Sequence, residues 1–175
     1  MKVGFVSFVG RPNAGKSTLV NRVIGTKLAI VSDKPQTTRN RILAVRNYPG
    51  ESAAQVVLVD TPGIHRPLHR MNVRMVDVAI ESIGGVDLIG LVRDATDGLG
   101  AGDRFVLKAL DVASVPVILI LNKIDLIAKT RLLPIIEWYR RQREFTAIVP
   151  LSAYTGDGVD ILEREIIGRL PDGEP

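Results

Sequence analysis

The chain has 175 residues, 46% of them hydrophobic and 24% charged, which suits one soluble domain able to bury a continuous core. Cysteine is absent, which excludes a disulfide framework and a thiolate metal site, and no apolar run nears the roughly 20 residues that cross a bilayer. The net charge of +4 is a modest excess: ordinary surface charge is the plain reading, and a phosphate-rich partner, RNA or an anionic membrane surface, is the sharper one.

The opening Met1-Lys2-Val3-Gly4 runs straight into a strand pattern over residues 3–9, without the leader, apolar stretch and cleavage site of a signal peptide. Directly after it comes Gly10-Arg11-Pro12-Asn13-Ala14-Gly15-Lys16-Ser17, which matches G-x-x-x-x-G-K-[ST] at every fixed position. A helix is predicted over 17–24, so the motif has the strand-to-helix setting that it requires. Glycines let successive backbone N–H groups converge on a polyphosphate, and the helix start adds its positive dipole end, with Thr18 in that first turn. Lys16 is a mobile positive charge for the terminal phosphates. Ser17 offers an oxygen to Mg²⁺, a hard cation. The bland alternative is a glycine-rich turn with an incidental lysine. The motif does not say which base follows the phosphates.

Residues 41–48 and 55–59 flank the turn signal Pro49-Gly50 and read as an antiparallel edge hairpin. Before them, Pro35-Gln36-Thr37-Thr38-Arg39 is a polar connection. A threonine there would close a Mg²⁺ shell only while a γ-phosphate is present, making the segment an order–disorder switch. Thr37 and Thr38 both qualify. After the second hairpin strand, Asp60 is placed to hold Mg²⁺ in Asp60-Thr61-Pro62-Gly63, and Gly63 to bring its N–H to the γ-phosphate. Pro62 restricts Thr61.

A helix over 72–83 ends near Gly84-Gly85, as the helix over 17–24 ends at Gly25, where a left-handed residue is wanted. Strands at 88–92, 117–121 and 148–151 alternate with helices at 103–113, 131–143 and 159–170. This alternation implies an α/β layered fold with a mostly parallel sheet.

Asn122-Lys123-Ile124-Asp125 follows the strand at 117–121, at a carboxyl end where α/β sheets bind ligands. Guanine presents a ring N–H and an exocyclic amine side by side, and a carboxylate accepts from both; Asp125 supplies one. Adenine has an acceptor at that ring position and is rejected. Asn122 supports base and loop, and the Lys123 stem packs on the ring. Ser152-Ala153 follows the next strand, where a small-residue turn and an N–H for the guanine oxygen are both open readings.

The ordered set now resembles the translation-factor-related GTPases, and among them the Era family. It is carried by Gly10–Ser17 as quoted, Gln36-Thr37-Thr38-Arg39, Asp60-Thr61-Pro62-Gly63-Ile64-His65, Asn122-Lys123-Ile124-Asp125 and Ser152-Ala153, with Gly4-Phe5-Val6 and Lys34-Pro35-Gln36 in support. The resemblance runs from about residue 4 to about residue 170. It implies a P-loop NTPase fold: α/β, three layers, a mostly parallel six-stranded sheet with one antiparallel edge strand, and helices on both faces. It implies GTP or GDP as ligand, Mg²⁺, and a GTPase domain over 1–170, monomeric by itself. Thr38 is preferred to Thr37 for the Mg²⁺, because related GTPases carry a threonine directly before an arginine here, as Thr38 stands before Arg39. Residues 171–175 would begin a linker to a KH-type RNA-binding domain. For the longer protein the implied partners are the small ribosomal subunit and 16S rRNA, in the cytoplasm, with peripheral contact to the inner membrane. Relatives with a Gly-Thr-Thr-Arg switch, in tRNA modification or ribosome assembly, are the alternative. A strand starting almost at Met1 argues against the tRNA-modifying arrangement.

Hydrolysis would rest on positioning and charge: Lys16, Thr38, Gly63 and the loop N–H groups about the β- and γ-oxygens. Many GTPases place a water-orienting Gln directly after the glycine of the metal turn. Here Ile64 stands there and can neither donate nor accept. In related GTPases the asparagine of Gly-x-Pro-Asn helps bind K⁺, and Asn13 matches it, so K⁺ is the candidate for the missing charge. Arg39, Arg41, Arg66, His69, Arg70 and Arg74 surround the switch segments, either as a solvated face or as an RNA-facing one. Arg140-Arg141-Gln142-Arg143 reads as a basic helix end.

Overall fold

The computed structural model describes residues 1–11, 14–24, 41–50, 53–60, 85–111 and 114–173. The helix expected over 72–83 and the segment 25–40 lie outside these. Six strands form one sheet: β1 (Lys2–Gly10), β2 (Arg41–Tyr48), β3 (Ala54–Asp60), β4 (Leu88–Asp94), β5 (Val117–Asn122) and β6 (Ala147–Pro150). Their spatial order is β2-β3-β1-β4-β5-β6. β2 runs antiparallel to β3, with Tyr48 opposite Ala54 across the predicted turn, while β1, β3, β4, β5 and β6 pair in parallel.

Helices α1 (Lys16–Ile24), α2 (Ala101–Leu110), α3 (Lys129–Gln142) and α4 (Val159–Arg169) connect and cover them. The period of 2 along each strand sends alternate residues to opposite faces. Val56, Leu58, Leu88, Val92, Ile118 and Ile120 meet Leu19 and Val23 of α1 and Leu162 and Ile166 of α4. Val57, Val59, Ile89, Leu91, Leu119 and Leu121 meet Leu107 and Leu110 of α2 and Leu132, Ile135 and Tyr139 of α3. The expected three-layer α/β architecture with one antiparallel edge strand is therefore the observed one.

Strand and helix bounds agree with expectation to within three residues, and those of β2 coincide at both ends. The largest shift with a visible cause is α2. It begins at Ala101 and not at Asp103, because the Asp103 carboxylate reaches back to the Gly100 N–H at 2.9 Å and caps the first turn. Asp103 is thus the third helical residue, and its carboxylate serves the turn before it.

Candidate functional site

The strand order reverses direction at β1, which has β3 on one side and β4 on the other. Open α/β sheets bind ligands outside the carboxyl ends of strands at such a point. The register brings those ends level: Gly10 pairs with Val92, Asp94 with Asn122, and Leu121 with Pro150. The loops after β1, β4, β5 and β6 consequently meet above one crevice.

The loop after β1 turns through an Ala14 N–H to Arg11 carbonyl bond of 3.0 Å, and α1 begins with Leu19 N–H donating to the Gly15 carbonyl, also at 3.0 Å. Gly15 has φ +87°, in the left-handed region. A Cβ there would run into Asn122 Nδ2, and a Cβ on Gly10 would run into the Val92 carbonyl oxygen. Both glycines are set by close backbone approach. Ser17 and Thr18 are exposed in the first turn of α1 and Lys16 is half-buried. That turn carries no acidic residue of its own, which leaves the positive end of the helix dipole suited to an anion. Pro12 and Asn13 lie outside the described residues.

Asn122 ends β5 and is 2% exposed. Its Nδ2 donates to the Ala14 carbonyl at 2.8 Å. Its Oδ1 accepts from the Lys123 N–H at 2.8 Å and the Ala153 N–H at 2.9 Å. The Ala153 N–H, one candidate donor to a guanine oxygen, is therefore held by Asn122. Lys123 follows with φ 70°, left-handed in a residue with a side chain. The chain then makes a 3-10 turn, Ile124–Leu126, that presents Asp125 to solvent. Ser152 is fully buried and shapes the turn after β6: its N–H donates to the Asp157 carbonyl at 2.8 Å, and its Oγ accepts from the Thr155 N–H at 3.1 Å.

Three contributors went unnoticed in the sequence. Lys123 Nζ lies 2.8 Å from Asp94 Oδ2 at the end of β4. Asp94 Oδ1 accepts from the Thr96 N–H at 2.8 Å and its hydroxyl at 2.6 Å. Burial opposes charge on Asp94, yet the hydrogen bonds from Lys123 and Thr96 outweigh it and hold the carboxyl below its ordinary range. Arg22 of α1 donates to the Ala153 carbonyl at 3.1 Å and to that of Tyr154, tying the first helix to the last turn. The sequence signal for Asp94 was its place at a strand's carboxyl end.

Asp60 ends β3, beside β1, with its backbone opposite Arg41. Thr37, Thr38, Thr61, Pro62, Gly63 and Ile64 lie outside the described residues, as do Arg39, Arg66, His69, Arg70 and Arg74. Among the described residues no group of three or more His, Cys, Asp or Glu could cage a metal. A hydroxyl at a helix start and a carboxylate from the neighbouring strand suit Mg²⁺, which is commonly held by few protein oxygens together with substrate phosphates.

The family model described as 50S ribosome-binding GTPase matches residues 5–123. GTPase Era of Geotalea uraniireducens (strain Rf4) is 49% identical over 172 residues, covering 98% of this chain and 57% of the relative. The crystal structure of an Aquifex aeolicus Era variant bound to GDP and AlF4⁻ matches with a TM-score of 0.79 and 42% identity, over 100% of this chain and 59% of that one. The structure of Era in complex with MgGDPNP and nucleotides 1506–1542 of 16S ribosomal RNA matches with the same TM-score and coverage. The chain thus spans a little over half the length of these relatives.

Proposed function

The chain belongs to the 50S ribosome-binding GTPase family, and on that premise we propose that it is the GTP-binding and GTP-hydrolysing switch of a longer Era-like protein acting in small-subunit assembly. The observation that carries this reading is Asn122, whose side chain joins the phosphate loop, the lysine–aspartate turn and the turn after β6. A phosphate cradle and a base-reading carboxylate are thereby held over one crevice.

In this reading Gly10, Arg11, Pro12, Asn13, Ala14, Gly15, Lys16, Ser17 and Thr18 surround the phosphates, and Asp125 accepts from the two guanine donors. Lys123 lies on the base, and the Ser152-Ala153 turn borders it. Ser17, Asp60 and Thr38 would be the oxygen donors for Mg²⁺, which would supply positive charge at the phosphates. Water attacks the γ-phosphorus, and the bond to the β–γ bridging oxygen breaks. Lys16 and the Gly63 N–H neutralise the charge that develops. Asn13 would contribute to a K⁺ site. The segment from residue 171 leads to a KH-type domain, and the whole protein contacts 16S rRNA in the cytoplasm, with peripheral membrane contact. Among the described residues no helix is long and apolar enough to cross a membrane. A switch that signals by occupancy with negligible hydrolysis is the second reading, favoured by Ile64.

Displacement of mant-GDP from this chain tests base choice. GTP and GDP should compete and ATP should not, and Asp125→Asn should move preference toward xanthine nucleotides. Equal displacement by ATP would overturn the guanine assignment. GTP turnover in KCl against NaCl at matched ionic strength tests the cation, and equal rates would remove Asn13 from it. The occupancy reading holds if phosphate release stays at the no-protein rate.

A further inference from the structure

We propose that Asp94 is a positioning residue for guanine recognition, acting by holding the Lys123 side chain in its base-binding conformation; this rests on the guanine reading above. A lysine carries much rotamer entropy, lost when its stem is pinned against a ligand. Fixing that stem before the ligand arrives removes the cost from binding. The geometry around Lys123 does this. Its backbone is left-handed, at φ 70°. Its Cε passes within ordinary contact distance of where a Cβ on Gly15 would lie, so the stem runs along the phosphate loop. Its Nζ reaches Asp94 Oδ2 at 2.8 Å.

An exposed ion pair would contribute little, but Asp94 is 8% exposed and is itself fixed. Thr96 holds its other oxygen through two hydrogen bonds. The Ala95 N–H donates to the Asn122 carbonyl at 2.9 Å, which joins this loop to the base-reading turn. Behind it, Arg93 is 6% exposed and donates to the carbonyls of Asp94 (2.6 Å), Asp97 (2.9 Å) and Gly98 (3.0 Å). Arg93 is anchored in turn by Asp103 Oδ1 at 3.1 Å and the Tyr139 hydroxyl at 2.9 Å. The loop that carries Asp94 is thus tied to α2 and α3, and Asp94 is presented as a rigid acceptor. The plain alternative is an ion pair that contributes to folding and leaves the ligand indifferent.

A double-mutant cycle on mant-GDP dissociation, followed by stopped-flow, separates the two. Asp94→Asn keeps the acceptor for Thr96 and removes the charge, and should speed dissociation roughly tenfold, the scale of one charge-assisted hydrogen bond. Added to Lys123→Ala, it should have no further effect. Thr96→Val, which loosens Asp94 without altering its charge, should give a smaller acceleration that also vanishes in the Lys123→Ala background, and it carries the test if Asp94→Asn does not fold. Unchanged dissociation in Asp94→Asn, or effects of Asp94 and Lys123 that multiply, would overturn the proposal. Failure of the unmodified chain to bind mant-GDP would instead sink the guanine reading.

Discussion

Asn122 links backbone groups 108 and 31 residues away from it, at Ala14 and Ala153, through one amide side chain. A buried donor or acceptor left without its partner costs about 1–3 kcal/mol. Asn122→Ala strands the Ala14 carbonyl and the Lys123 and Ala153 N–H groups together, so a loss of about 3 kcal/mol of unfolding free energy is expected by urea denaturation. A loss under 1 kcal/mol would show that water replaces those bonds. Asn122→Asp keeps the two acceptor bonds and turns a carboxylate toward the Ala14 carbonyl, so it should be no milder. The motif spacing marked Asn122 as a nucleotide residue, but its clamp role needs the carbonyl of Ala14, whose approach no local pattern encodes. Asp94 adds a pH signature. Its folded carboxyl titrates below the ordinary 3.8, so its ion pair contributes fully above that value and is lost as pH falls through the lower folded value. The stability gap between the unmodified chain and Asp94→Asn should therefore be constant from pH 7 to 5 and narrow toward pH 3. A gap that does not narrow at all between pH 5 and pH 3 would mean that the carboxylate's charge is not what stabilises.

Elements were legible where one face is apolar and the period is clear. The strands at 88–92 and 117–121 are continuous apolar runs, as strands covered on both faces must be, and both were found. The expected start of α2 falls two residues late because its first turn, Ala101-Gly102-Asp103, has weak apolar periodicity, and only the Gly100–Asp103 cap reveals its start. The same missed start concealed a polar cluster between α2, α3 and β4. Tyr139 is 1% exposed, its hydroxyl donates to Asp103 Oδ1 at 2.7 Å, and Arg93 closes the triangle. Burial, and then the neighbouring Asp103 carboxylate, push the Tyr139 hydroxyl well above its ordinary range, so it remains the donor. No sequence period places a strand arginine, a helix-start aspartate and a tyrosine near the end of a third element together. Tyr139→Phe removes the hydrogen bond to the buried Asp103 carboxylate and the acceptor of Arg93 Nε, and should cost at least about 1.5–3 kcal/mol. Its control is Asp160→Ala on α4, whose pair with Arg164 is 75% exposed on both sides and should shift stability by less than about 1 kcal/mol. Equal losses from the two would mean that the buried cluster contributes no more than surface charge.

At the scale of the whole molecule, alternating strands and helices sufficed for a parallel sheet, because parallel neighbours need crossovers. Strand order was not legible: nothing local states that β1 lies between β3 and β4, since that follows from which connection crosses to which side. Yet that order makes the crevice, and four separate loops end there. A ligand that touches loops after β1, β5 and β6 binds only the folded chain, which gives the last prediction its size. Ligand at a hundred times its Kd adds about 2.7 kcal/mol to unfolding. For a domain of 150–250 residues each kcal/mol moves the midpoint by about 2–4 °C. Mg²⁺ and GDP at that concentration should therefore raise the thermal midpoint by roughly 5–10 °C, and ATP at the same concentration should leave it in place. Pyrophosphate engages only the phosphate loop, so it should give a smaller rise. If pyrophosphate matched GDP, the turns after β5 and β6 would contribute nothing to binding, and the crevice would be a phosphate site without a reader for the base.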